Sequence, residues 1–161
     1  MLQLLPLVLL PLAGGDDAQD HKVHAAPRPL SAEAVTEDWP SFLGPRRDGR
    51  SRETRLDLEF GPEGPPLLWE VSTPEGYAAP SLVEGQLVHT FSVGRTVVVE
   101  CLDGETGKRS WRKSRPFDYE PRYIRNSGPR AAPTIDGARI YVAGIDNVPV
   151  SYTHLTLPTK A

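Results

Sequence analysis

The sequence predicts an all-β protein assembled from a repeated four-stranded unit, of which the chain holds the first one to two copies. Three observations carry that expectation. Seventeen prolines and fourteen glycines among 161 residues suit short strands and tight turns, and no long stretch has helical periodicity. The segment AAPSLVEGQLVHT, residues 78–90, aligns without a gap on AAPTIDGARIYVA, residues 131–143, which lies 53 positions further on. A second pair, Trp69 in LLWEV and Trp111 in RSWRK, lies 42 positions apart. The two spacings agree once the second connection carries 11 extra residues, so the underlying unit is about 42 residues long.

One whole unit spans about residues 76–113. Its first strand is expected over 79–83 and its second over 86–92, joined by a Gly-containing turn. The third, over 96–102, is the run TVVVECL, β-branched and apolar as strands are. The fourth, over 109–113, carries Trp111 at its centre. The intervening LDGETGKRSW, residues 102–111, invites a phosphate-loop reading and fails it. A phosphate loop needs its first glycine five residues before the Gly-Lys pair, so that backbone N–H groups wrap the anion, and a hydroxyl after the lysine to hold magnesium. Here Gly104 stands three residues before Gly107, and Arg109 follows Lys108. The stretch reads as a hairpin tip in which Asp103 bonds its own backbone and Gly107 takes positive φ.

Four short strands per ~42 residues match a propeller blade. A single four-stranded sheet cannot cover both of its faces, so such units stack around an axis. A tryptophan at a fixed place on each outer strand fills the gap between neighbours.

These residues also carry a family resemblance. CLDGETGKRSW is similar to the repeat of the pyrroloquinoline-quinone-like (PQQ repeat) β-propellers, whose blades end in Ala-x-Asp-x-x-Thr-Gly-Lys-x-x-Trp. Asp103, Thr106, Gly107, Lys108 and Trp111 match, and Cys101 replaces the usual alanine. The head DWPSFLGPRRDGRS (residues 38–51) resembles the propeller start of exported members, and GPRAAPTIDGARIYV resembles the opening of a further blade. The resemblance covers about residues 39–147. It implies a β-propeller that is either a quinone-free binding or scaffold module or part of a quinoprotein dehydrogenase. The dehydrogenases carry a vicinal cysteine pair over the quinone, whereas Cys101 is the one cysteine here. The expected function is therefore the exported, non-catalytic module, with no cofactor supported by this chain. The alternative is a fragment of a PQQ-dependent alcohol or sugar dehydrogenase, which would require quinone and calcium.

Residues 1–15 read as a signal peptide: an apolar core with small residues at Ala13 and Gly15, too short to span a bilayer as a helix. The feature missing is a positive charge near Met1. Export, to the periplasm or the exterior, is the expected localisation. Residues 16–37 are polar and read as a linker in which His21 and His24 are solvated. Residues 38–147 form the propeller part. Residues 148–161 are expected to be non-native, because SYTHLTLPTKA looks like translated sequencing adapter and no further Asp-x-x-Thr-Gly-Lys turn appears.

A net charge of −3 implies no general affinity for nucleic acid. A single cysteine excludes an internal disulfide and a four-cysteine metal site. Within an apolar strand it is expected to act as a small buried hydrophobe. The basic stretch at 44–52 reads as a solvated turn. The most distinctive segment is the insertion RPFDYEPRYIRNSGPR, residues 115–130. It mixes the aromatic and arginine side chains enriched at binding hot spots in a connection that propellers place on one face. Tyr119, Arg122, Tyr123, Asn126 and Arg130 are its candidate binding residues, for a protein or polysaccharide partner; the competing reading is a solvated loop whose aromatics pack on the blades.

Overall fold

The computed structural model describes residues 21–56, 59–119 and 128–153. Among them there is no helix, and nine strands form three antiparallel sheets. The all-β expectation holds. No sheet closes on itself.

The central sheet is the meander β3 (Ser81–Val83), β4 (Gln86–Val93), β5 (Thr96–Asp103) and β6 (Arg109–Pro116), in that spatial order. These are the four strands expected for the complete unit, with β3 two residues shorter, β4 and β5 one residue longer and β6 three residues longer than the sequence signals. The third sheet repeats the arrangement with β7 (Thr134–Asp136), β8 (Arg139–Ala143) and β9 (Pro149–Tyr152). The internal alignment is visible in the turns. Val83 pairs with Gln86 across Glu84-Gly85, and Asp136 pairs with Arg139 across Gly137-Ala138. In each turn the first residue has positive φ, 50° at Glu84 and 54° at Gly137. This left-handed backbone matches the twist of the flanking strands.

β9 falls in the segment whose sequence resembles adapter and supplies the third strand of its sheet. Its alternation of Val150 and Tyr152 with Ser151 is enough to pair with β8.

The first sheet is a two-stranded ribbon, β1 (His21–Val23) with β2 (Trp69–Val71). The region read as a linker thus contributes a strand. Its signal is faint in sequence because all three residues of β1 are exposed and only one of them is apolar. Residues 1–15 lie outside the described residues. Among the described residues no helix is long and apolar enough to cross a membrane.

The main core lies between the second and third sheets. Val88, Val99, Cys101 and Trp111 on one face of β4–β6 pack with Ile135, Ile140 and Val142 of β7–β8. The strand of highest apolar content, β5, is buried along six consecutive residues. Burial on both faces is why its apolar residues do not alternate with polar ones, Glu100 being the one charged side chain within the buried stretch. Trp39 extends the inner edge of β3, exchanging backbone hydrogen bonds of 2.7 and 2.9 Å with Leu82. Ser81 Oγ donates to Pro133 O at 2.6 Å, and the Ile135 N–H donates to Pro40 O at 2.8 Å. These bonds fix the two inner edges beside each other.

Candidate functional site

Three places concentrate polar chemistry: the Thr-Gly-Lys turn, the connection after β6, and a buried charge cluster on β5.

In the turn, Asp103 Oδ1 accepts from both the N–H and the hydroxyl of Thr106, at 2.8 and 2.7 Å. The Asp103 and Gly107 N–H groups close the loop onto Lys108 O and Asp103 O. The Thr106 hydroxyl first, and the backbone N–H groups after it, hold the Asp103 carboxyl below the usual carboxylate range. Gly107 has φ of 69°, and a Cβ there would lie 2.5 Å from the Trp69 ring. Glycine is required on both counts. Trp69 Nε1 donates to Gly104 O at 3.2 Å, and His21 Nε2 donates to Thr106 O at the same distance. Asp103, Thr106, Gly107 and Trp69 therefore form one unit in which the motif's oxygens serve the fold. Trp111, buried, does the equivalent task one sheet further on, 6.4 Å from the Tyr152 ring.

The connection after β6 is anchored at both described ends. The Phe117 N–H donates to Arg95 O at 2.9 Å, and the Tyr77 N–H donates to Pro129 O at 2.8 Å. Gly128 lies so close to the backbone of Glu75 and Gly76 that a Cβ would approach to 2.4 Å. Of the candidate binding residues, Tyr119 is exposed, and the Arg130 guanidinium lies 5.8 Å from the centre of the Tyr77 ring. Arg122, Tyr123 and Asn126 lie outside the described residues. Tyr77 is 64% exposed and sequence reasoning did not single it out, since it lies outside both the aligned segment, which begins at residue 78, and the insertion. Phe117 is buried, so part of the segment's aromatic content does pack inward.

The third place carries no sequence motif. Glu100, with no exposed surface, sits between cross-strand neighbours His89 on β4 and Arg112 on β6. His89 Nε2 donates to one carboxylate oxygen at 3.2 Å. Arg109 and Arg112 reach the other at 3.3 and 3.5 Å. Burial drives the Glu100 carboxyl upward; the His89 hydrogen bond and the charges of His89, Arg112 and Arg109 outweigh it and hold the group below its ordinary value. The one available signal was an acid placed inside a β-branched run. Both oxygens are occupied from three sides, so the group acts as a clamp across three strands.

Cys101 is buried, and burial pushes its thiol up to about 11, far from thiolate chemistry. This fits the expectation of a small buried hydrophobe. In the basic stretch, Arg46 is bound to Glu37 and donates to Arg50 O at 2.6 Å, bracing the loop. A cleft of about 610 Å³ between the β3–β4 and β7–β8 turns is lined in part by Glu37, Asp38, Glu84 and Asp136. Glu37 is engaged by Arg46 and by the Arg52 N–H, and Asp38 accepts from the Glu84 N–H at 3.0 Å. Among the described residues no group of three or more His, Cys, Asp or Glu side chains is placed to hold a metal. Comparison with protein-family models, curated proteins and solved structures gives no match.

Proposed function

We propose that the chain is the N-terminal part of an exported β-propeller of the PQQ-like type, a non-catalytic binding or scaffold module for a protein or polysaccharide partner. The observation that carries this reading is the shared role of the two tryptophans. Trp69 and Trp111, 42 residues apart, each leave a fourth-strand position and cover the neighbouring sheet, Trp69 at the Gly104–Gly107 turn and Trp111 beside Tyr152. Sheets stacked in series by one repeated contact are what a radial array of blades requires. The clamped Glu100 and the internally satisfied Asp103 favour a structural use of these acids. The exposed Tyr77–Arg130 pair, beside the anchored connection, supplies the aromatic and cationic surface a binding module uses.

The test is to express the complete reading frame of the source gene and assay it with PQQ, calcium and an electron-accepting dye. The expected outcome is several further Trp-bearing units and no quinone-dependent dye reduction. Dye reduction would overturn the non-catalytic reading. A frame without further units would overturn the propeller.

A further inference from the structure

The loop that precedes β2, residues 41–52, and the cleft at its root carry opposite chemistry side by side. The loop is tightly built. The Gly44 N–H donates to Ser41 O at 2.9 Å, and the Gly49 N–H donates to Leu43 O at 3.0 Å. Gly44 has φ of 74°, and a Cβ there would lie 2.8 Å from the Trp39 ring, so the ring presses on bare backbone. Arg46, bound to Glu37 and to Arg50 O, braces the second turn. On this frame Phe42 is 67% exposed and Leu43 44%. Leu43 lies against Gly49, which puts it beside the basic turn. The exposed Arg47 and Arg50 side chains have no ion-pair partner among the described residues.

The cleft has the complementary make-up. Pro40 and Pro45, at the root of the loop, form an apolar wall with Val83. Asp38, Glu84 and Asp136 supply its acids. Asp38 accepts from the Glu84 N–H at 3.0 Å. The exposed carboxylates of Glu84 and Asp136 have no ion-pair partner among the described residues. A space of about 610 Å³ admits an aromatic side chain with arginine beside it.

Acid and base side by side discriminate between partners. A uniformly anionic surface that attracts Arg47 and Arg50 repels Glu84 and Asp136 on the neighbouring cleft. A copy of the same patch, turned about a two-fold axis, sets loop against cleft twice. We propose that two copies of the chain associate in this way, the 42–50 loop of each seated in the cleft of the other. Phe42 lies on the wall of Pro40, Pro45 and Val83, and Arg47 and Arg50 meet Glu84 and Asp136. Aromatic and arginine side chains are the types enriched in interface cores, and a braced loop loses little freedom on docking. The inference goes beyond the proposed function and depends neither on the propeller nor on the Tyr77–Arg130 surface.

The experiment is sedimentation velocity on the protein from the complete reading frame, over a concentration series. The expected result is a monomer–dimer equilibrium that weakens as salt is added. Two variants carry the test: Arg47→Glu with Arg50→Glu, and Glu84→Lys with Asp136→Lys. Each should raise the dimer Kd at least about tenfold on its own, with an unchanged circular dichroism spectrum. An equimolar mixture of the two should recover dimers, because each loop then meets a cleft of opposite sign. Phe42→Ser should weaken the dimer while its salt dependence stays. A monomer at every concentration would overturn the inference. So would a dimer that both charge variants leave intact, or a mixture that does not reassociate. Species larger than two copies would overturn the two-fold arrangement. A monomer that binds phosphatidylglycerol vesicles, and loses them on Arg47→Glu with Arg50→Glu, would assign the loop to a lipid surface and overturn it as well.

Discussion

The two faces of the central sheet are both buried and are built on opposite principles. Toward the third sheet, β4, β5 and β6 present Val88, Val99, Cys101 and Trp111, an apolar layer filled by shape. On the reverse face, Phe91, Val98 and Leu102 surround a polar row, His89, Glu100 and Arg112, with the Arg112 guanidinium 5.8 Å from the centre of the Phe91 ring. The first face tolerates any well-fitting side chain. The second depends on His89, Arg109 and Arg112 meeting one carboxylate, because a buried charge that loses its partners has no water to fall back on. One strand, β5, serves both faces in alternate residues.

The charged face should give the largest response to substitution. Glu100→Ala leaves His89, Arg109 and Arg112 without their anion and is expected to destabilise the protein by about 3–5 kcal/mol, measured by urea unfolding. A loss below about 1 kcal/mol, the range of exposed pairs, would place the cluster in solvent. Trp111→Ala on the apolar face should cost about 3–4 kcal/mol by opening a cavity between the sheets, and Trp69→Ala less, since Trp69 is only partly buried. Gly107→Ala should cost about 1–3 kcal/mol from left-handed strain, with further loss from displacing Trp69. A value near zero there would mean that the turn can reshape.

A pH titration separates the faces without changing volume. Glu100 is held below its ordinary value in the fold. Its contribution is therefore complete above the unfolded-state value near 4.5 and fades as pH falls through the lower folded value. Wild-type stability should drop on acidification from about pH 5 downward, and Glu100→Gln should flatten that slope while Cys101→Ala leaves it unchanged. Equal slopes in wild type and Glu100→Gln would remove Glu100 as their source. Glu37, Asp103 and Asp146, also held low by hydrogen bonds, contribute to the slope that remains.

Much of the apolar face was legible in the sequence. The four strands of the central unit, the positions of Trp69 and Trp111, and the equivalence of the Glu84-Gly85 and Gly137-Ala138 turns all follow from spacing and turn chemistry. The charged face was not legible, because Glu100, His89 and Arg112 are scattered over 24 residues and meet only through strand register. Strand β1 was hidden for a different reason. A short, exposed strand has no hydrophobic pattern and is defined by its partner. Likewise Tyr77, outside every motif, becomes notable only because the chain returns at Pro129 and brings Arg130 over it.

The ribbon of β1 and β2 also bears on the order in which the protein takes shape. The His24–Glu70 contact joins residues 46 apart, whereas each hairpin of the central sheet joins neighbours across a short turn. Closing a long loop costs entropy before any bond repays it. Of the described strands β1 leaves the ribosome before the others, and β2 follows only after some 45 more residues. The meander β3–β6 can zip hairpin by hairpin as it emerges. Meanwhile Gly107 presents a bare surface that Trp69 covers when the ribbon docks, so β1, made before the meander, is among the last of the described strands to find its place.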